Sequence, residues 1–115
     1  MGDERRQFPR AAQPIPAKCR IAGDFSTAWT SATVLSIGAA GMQLRTETAF
    51  EAGMEVEVSL QPPGFREAVV LRGPVVWQKV QAPGIVVHGI DLRGIPPEQQ
   101  QQIDQLVAFL GQGRA

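Results

Sequence analysis

The sequence predicts a mainly β domain, a small antiparallel barrel or sandwich of about six strands that one C-terminal helix closes. Three observations lead to this prediction. Apolar and polar residues alternate over much of residues 17–92, Gly- and Pro-containing turns separate these stretches, and the end of the chain changes to a helical spacing. The chain has 115 residues, which is enough for a single core, and one domain is expected.

Six segments carry the strand pattern. The clearest has an apolar residue at every second position from Met54 to Leu60, and these side chains are expected to face inward. A later segment contains Gly73-Pro74, where a bulge or bend should interrupt the strand. The predicted strands are 17–22, 28–36, 42–47, 54–60, 68–80 and 85–92.

After the last strand the apolar residues recur at three- and four-residue spacing, which predicts a helix over about 97–110. Pro97 suits its first turn and Gly111 its end. The apolar face consists of Ile103, Leu106, Val107 and Leu110.

Composition excludes several classes of protein. Eleven Lys and Arg residues balance eleven Asp and Glu residues, which argues against a broad nucleic-acid surface and against a polybasic membrane patch. Cys19 is the single cysteine, so no internal disulfide forms. The N-terminus lacks the apolar segment of a signal peptide, and no apolar run has the length of a membrane span. We expect a cytoplasmic protein without membrane insertion.

Catalytic and metal-binding patterns are missing from the sequence. His88 is the single histidine and is expected to be an outward-facing or hydrogen-bonded strand residue. Glu55 and Glu57 share one strand face, where alternating charges usually serve solubility. No P-loop, GxSxG or HExxH motif is present. We therefore predict a protein that is not an enzyme and has no catalytic residue, no metal ligand and no cofactor.

Residues 1–16 are expected to form a flexible, extended or irregular arm, because they contain three prolines. The barrel would then occupy residues 17–115. The arm carries Arg5, Arg6 and Arg10 and no lysine. A guanidinium group is planar, binds phosphate oxygens in pairs and stacks on flat bases. The arm could close on an anionic, base-containing ligand, with the barrel as the other wall; a solvated tail is the alternative.

A second stretch of interest is VLSIGAAGMQL, residues 34–44. Ser36 ends a predicted strand, and small residues follow it. Small side chains let a ligand approach the backbone and let successive N–H groups face an anion. An ordinary β-turn is the alternative interpretation.

Taken together, these stretches resemble a PilZ domain. The order is RRQFPR, then LSIGAAGMQL, then VVW and HGIDL, then the closing helix. PilZ domains are six-stranded β-barrels that bind the bacterial second messenger cyclic di-GMP. Arg6 and Arg10 match the family's RxxxR motif, with Arg5 as an additional arginine, and Ser36 matches the serine of its [D/N]xSxxG motif.

The resemblance implies a role for each matching residue. Arg6 and Arg10 would clamp the phosphates of cyclic di-GMP and stack on guanine, and Arg5 would assist them. Ser36 would donate a hydrogen bond to phosphate or base. The expected ligand-binding residues are Arg5, Arg6, Arg10, Ser36, Gly38 and Trp77.

The second motif departs from the family's pattern. Val34 stands where the family has Asp or Asn, and Ala39 where it has Gly, although Gly38 flanks the site. Valine cannot read the edge of a guanine, and losing one such contact costs about 1–3 kcal/mol. Residue type favours a place in the core for Trp77, with an aromatic surface beside the arm as its alternative, whereas Trp29 is expected to pack.

Three functions remain open at this point. The first is a cyclic di-GMP receptor that signals to an unidentified protein partner as its arm becomes ordered. The second is a divergent PilZ domain that binds no nucleotide and acts as an adaptor in motility or pilus function. The third, a barrel for single-stranded nucleic acid, fits poorly with zero net charge, five Phe, two Trp and no Tyr. We expect a monomer or a weak dimer that binds no nucleic acid.

Overall fold

The structure, a computed structural model, describes residues 10–11, 14–24, 28–61 and 66–112. It contains seven strands and one helix within these ranges. The elements are β1 (Arg10–Ala11), β2 (Ile15–Ile21), β3 (Thr30–Gly38), β4 (Gly41–Thr46), β5 (Glu55–Leu60), β6 (Val69–Ala82), β7 (Ile85–Asp91) and α1 (Pro97–Gln112).

Six of the strands form a closed antiparallel barrel. Their order is β3-β2-β5-β6-β7-β4, and pairing between β4 and β3 closes the ring. The two-residue strand β1 adds to the end of β3 beyond the part that pairs with β2. The barrel, rather than the sandwich, is therefore the architecture, and the predicted number of long strands is confirmed.

The core fills the inside of the barrel and is closed by α1. Val34, Leu44, Val58 and Leu71 are fully buried, as period-two alternation predicts for inward positions. The helix contributes Ile103 and Leu106, both with no exposed surface. It contacts β3 and β1, and Gln100 Nε2 donates a 2.9 Å hydrogen bond to the carbonyl of Leu92.

Strand β2 begins two residues earlier than the sequence predicts, in spite of Pro16. Pro16 pairs with Thr33 of β3, whereas pairing with β5 starts only at Ala17. A proline is tolerated where one side of a strand has no partner, because the N–H that it lacks would have no acceptor on that side. The chain is therefore already in extended pairing at the end of the segment assigned to the arm.

The predicted interruption at Gly73-Pro74 is wrong. Strand β6 runs through both residues, and the register shift with β7 falls between Val75 and Trp77. Gly73 is needed for a different reason. A Cβ at this position would collide with the backbone carbonyl of Asp91, so the glycine permits a close approach between strands.

Candidate functional site

The strand pairing brings the arm to the strand that carries Ser36. Arg10 pairs with Gly38, and Ala11 pairs with Ile37. The backbone of Arg10 is therefore opposite a residue two positions beyond Ser36. Arg5 and Arg6 lie outside the described residues, and the side chain of Arg10 is likewise not described, so their predicted roles stay predictions.

Ser36 and Trp77 belong to one row of paired residues across four strands. Ser36 pairs with Gln43, Gln43 pairs with Gly89, and Gly89 pairs with Trp77. Neighbouring strands are about 4.8 Å apart, so the row is about 14 Å long. The row beside it contains Gly38, which pairs with both Arg10 and Gly41. Ser36 and Trp77, which the sequence placed in one site, thus lie at the two ends of one row, and Gly38, which is buried, lies two residues beyond Ser36 on β3.

Trp77 lies on the outside of the barrel, so the placement in the core that residue type favours is wrong. Its side chain is 41% exposed. The indole ring covers Gly89 of the neighbouring strand so closely that a Cβ there would overlap its Nε1 and Cε2 atoms. A glycine on β7 therefore leaves room for the indole ring to lie over the backbone of the neighbouring strand.

We expect Gly89→Ala to move the Trp77 ring away from this surface. The added methyl group overlaps the ring, but Trp77 is partly exposed and can turn outward, so the free energy of unfolding should fall by only about 1 kcal/mol. The emission maximum of Trp77, measured in a Trp29→Phe background, should shift to longer wavelength. An unchanged emission spectrum would contradict the placement of the ring over Gly89.

A shallow cavity of about 410 Å³ lies beside Trp77. Gly41, Gln43, Trp77 and Asp91 are among its lining residues. Arg93 also lines it but is already paired, since its Nη2 lies 3.0 Å from Asp91 Oδ2 and its Nε donates a 3.0 Å hydrogen bond to Asp91 Oδ1. These hydrogen bonds lower the pKa of Asp91, so the carboxylate stays ionised and largely neutralises Arg93.

A larger cavity, of about 620 Å³, lies further along the same strands β3 and β4. Its lining includes Thr30, Thr33, Arg45, Thr48 and Ile85, and neither Ser36 nor Trp77 belongs to it. Volume alone favours this cavity, but Trp77, one of the residues that the sequence singles out for ligand chemistry, lines the smaller one, whereas none of those that the structure describes lines the larger one. We therefore take the smaller cavity, together with the Ser36–Trp77 row, as the candidate site.

Two basic residues near this row were missed by the sequence analysis. Thr33 pairs with Arg45, Arg45 with Val87, and Val87 with Lys79, which forms another row across the same four strands. Arg45 and Lys79 are exposed, and neither has an ion-pair partner in the described part of the chain. Alternation within each strand predicts that Arg45 and Lys79 point outward. Only the register between strands shows that they lie near the site.

Val34 does not face the candidate site. Its side chain has no exposed surface and belongs to the core, whereas Ser36 is partly exposed. The register between β3 and β4 shifts between these two residues, so they do not share a face as positions two apart normally do. The valine is therefore a packing residue here, and it leaves the site without the polar side chain that the family motif has at that position.

The other titratable groups have structural roles. His88 is fully buried and hydrogen-bonded, so the outward-facing alternative is wrong: Phe50 N–H donates to its Nε2 at 3.0 Å, and its Nδ1 lies 3.3 Å from the carbonyl of Leu44. Burial raises the pKa of the Cys19 thiol, which disfavours the reactive thiolate. Within the described ranges, His, Cys, Asp and Glu residues do not group into a metal site.

The glutamates of β5 pair with arginines on neighbouring strands. Arg72 Nε lies 2.8 Å from Glu55 Oε1, and Arg20 Nε lies 3.0 Å from Glu57 Oε1. The guanidinium carbon of Arg20 is also 4.1 Å from the centre of the Trp29 ring. Trp29 therefore packs, as predicted, and the two glutamates are surface charges rather than a catalytic pair.

The pH dependence of stability should include a contribution from His88. Burial lowers the pKa of its imidazole, although the hydrogen bond to Leu44 opposes this. In the unfolded chain the ring takes up a proton near pH 6.5, whereas in the folded chain it stays neutral to lower pH. The contribution of His88 to the free energy of unfolding should be fully present above pH 6.5 and should fall below it, by at most about 1.4 kcal/mol per pH unit.

Urea denaturation at several pH values checks this expectation. His88→Gln retains an acceptor for the Phe50 N–H but cannot take up the proton. The free energy of unfolding of this variant should therefore depend less on pH than that of the wild type, between pH 6.5 and the lower pH at which carboxylates begin to take up protons. If the free energy of unfolding falls equally steeply with pH in the wild type and in the variant, the contribution assigned to His88 is wrong.

Comparisons with known proteins support the fold. A family model described as "PilZ domain" matches residues 4–109. The PilZ domain of YcgR from Escherichia coli, solved with c-di-GMP, superposes with a TM-score of 0.70 at 14% identity, over 96% of this chain and 94% of that chain. No curated protein sequence gives a significant match.

Two further solved structures share the architecture. The Bacillus subtilis inhibitor of motility, MotI/DgrA, has a TM-score of 0.66 at 13% identity over 95% of this chain, which spans 52% of the length of MotI/DgrA. The PilZ domain of CeSA from a cellulose-synthesizing bacterium has a TM-score of 0.64 at 15% identity, over 89% of this chain and 97% of that chain. A closed, six-stranded antiparallel barrel with one C-terminal helix is the fold of this chain.

Proposed function

Since this chain belongs to the PilZ domain family, we propose that it is a cyclic di-GMP receptor that signals to a protein partner through ordering of its arginine arm. PilZ domains are receptor and adaptor domains rather than enzymes. One observation carries the proposal. The pairing of Arg10 with Gly38 attaches the end of the arm beside Ser36, on the surface that also presents Trp77.

The proposed ligand has two phosphates and two guanine bases, and the site offers a group for each kind of contact. Arg6 and Arg10 bind phosphate oxygens and stack on guanine, with Arg5 assisting them. The Ser36 hydroxyl donates to phosphate or base. The exposed face of Trp77 supplies a second stacking surface, and Gly38, which pairs with Arg10, adds no side chain that would block the ligand beside the arm.

Signalling follows from the position of the arm. A ligand held between the arm and the barrel stabilises only the closed arrangement, so the fraction of closed arms reports the ligand concentration. The end of the arm also borders α1, because the helix contacts both β1 and β3. Closure therefore changes a surface composed of arm, β3 and helix, and a protein partner can bind that surface.

The alternative is a divergent PilZ domain that binds no nucleotide and acts as an adaptor. One observation favours it: Val34 is buried in the core, and no carboxylate or amide takes its place in reading guanine at this position. The two functions differ in what the arginines do. In the adaptor they are not needed for ligand binding, so the partner should bind whether or not cyclic di-GMP is present.

Isothermal titration of the full chain with cyclic di-GMP tests the proposal. We expect a saturable heat of binding with a dissociation constant in the micromolar range, since the contact missing at Val34 weakens affinity about ten- to a hundredfold. Folded protein that gives no heat at about tens of micromolar ligand would reject the receptor and leave the adaptor.

A further inference from the structure

Strand β6 has an uncovered edge. It has 14 residues, but β5 pairs with it only from Val69 to Pro74. The backbone of Val75 makes the last bonds on this side, donating to the Met54 carbonyl at 2.8 Å and accepting from Gly53 at 2.7 Å. Beyond Val75, within the described ranges, β7 is the single partner strand, so backbone N–H and C=O groups on the other side are free to pair with another chain.

This edge lacks the features that usually protect edge strands. Val76, Trp77 and Val80 are 52%, 41% and 66% exposed. One charge, Lys79, lies among them, and the next proline is Pro83, after the strand has ended. Exposed edges with apolar side chains pair readily with other strands, and proteins normally block them with prolines, several charges or a covering element.

We propose that this edge is an interface between two copies of the chain, paired antiparallel about a two-fold axis at Gln78. A two-fold axis perpendicular to the sheet keeps the same face outward in both copies, so it must pass midway between one residue and its own copy. At Gln78 the axis places Trp77 opposite the partner's Lys79 and sets the two Gln78 side chains against each other. The segment Trp77–Lys79 is thus complementary to itself.

Charge decides between this register and the one centred on Lys79. An axis at Lys79 would place two ammonium groups directly opposite each other, which is destabilising. The axis at Gln78 instead places each Lys79 across the edge from Trp77 of the other copy, where the long side chain can extend over β6 to the exposed face of the indole, a cation–π contact that contributes about 0.5–1 kcal/mol at an exposed site. The amides of the two Gln78 side chains can exchange hydrogen bonds.

The proposed dimer is weak, and it borders the candidate site. Only a few residue pairs take part, so the interface is at the small end of specific interfaces, below about 1,200 Å² in total. Trp77 belongs to both surfaces, since it pairs with Gly89 in the Ser36 row and lies on the free strand. The partner's Lys79 would then approach the edge of the ligand surface. The dimer does not depend on the proposed nucleotide binding.

Sedimentation equilibrium of the full chain without nucleotide tests the interface, with variants that exploit the register. Lys79→Glu should weaken the dimer about tenfold because the carboxylate faces the indole, and Trp77→Lys should weaken it as much because two cations face each other. The double variant should recover at least the wild-type association constant, since Lys at position 77 then faces Glu at position 79. Lys18→Glu, an exposed lysine on the covered strand β2, is the matched control and should have no effect.

A crosslink gives an independent measurement. Gln78→Cys should form an intermolecular disulfide under mild oxidation because the axis brings this position against its own copy, whereas the native Cys19 is fully buried and should not react. Recovery in the double variant together with the crosslink supports the interface. A chain that stays monomeric at millimolar concentration, or a double variant no better than either single one, overturns it and leaves the edge for a strand of another protein.

Discussion

Replacing Arg6 and Arg10 together by alanine should weaken cyclic di-GMP binding at least a hundredfold, or by about 3 kcal/mol or more. The estimate follows from two guanidinium groups, each of which contributes charge-assisted hydrogen bonds of about 1.5–3 kcal/mol to a phosphate. Stability should hardly change, because Arg10 belongs to β1, which is not one of the six barrel strands, and Arg6 precedes it in the chain. Calorimetry of both chains gives the affinity ratio, and thermal denaturation shows whether the barrel is intact.

Lys18→Ala is the matched control for lost positive charge. Lys18 is exposed on β2, between β3 and β5, away from the Ser36 row. We expect less than about a twofold change in affinity, since exposed charges at this distance are largely screened by salt. If the double arginine variant binds as tightly as the wild type, the arm does not hold the ligand and the proposed mechanism is wrong.

Val34→Asp should destabilise the barrel by about 3–5 kcal/mol and should not improve ligand affinity. A comparison with the family motif alone suggests the opposite, a gain in affinity from the restored acid. The structure gives the reason for the difference: Val34 has no exposed surface and pairs with Ile15 and Leu44 inside the barrel. A carboxylate there loses its hydration and takes the place of a packed side chain.

Urea denaturation of this variant at neutral pH gives the stability change. Ser31→Asp places the same side chain on the same strand at an exposed position, and its effect should stay within about 0.5 kcal/mol. A Val34→Asp chain that is as stable as the wild type and binds cyclic di-GMP more tightly would show that this side chain turns toward the ligand.

The sequence predicted most of the fold because its signals are local. Alternation over residues 54–60 and the helical spacing from Ile103 to Leu106 depend only on neighbours in the chain, and both are confirmed by burial. The start of β2 at Ile15 and the passage of β6 through Gly73 were missed because both depend on which strands lie alongside. A local pattern shows which face of a strand is buried, but it does not show which strands pair with its two edges.

The sequence predicted only part of the candidate site, because the rest depends on which strands lie alongside each other. The chemistry of the arginines follows from residue type. The prediction that Ser36 ends its strand is wrong by two residues, since β3 continues to Gly38. The burial of Val34 does not follow from residue type, since it depends on a register shift within β3, and neither does the proximity of Arg45 and Lys79 to the Ser36 row. Residue type alone does not decide whether Trp77 lies in the core or on the surface; the ring lies over Gly89, on the surface.

Chemical-shift mapping of the isotope-labelled full chain during titration with cyclic di-GMP would locate the bound nucleotide directly. With the nucleotide seated between the arm and the outer barrel wall, the largest changes should appear at the amides of Ser36, Gly38, Gln43 and Gly89 and at the indole N–H of Trp77. Changes confined to the larger cavity around Thr30 and Thr48, or no changes at saturating nucleotide, would contradict the account.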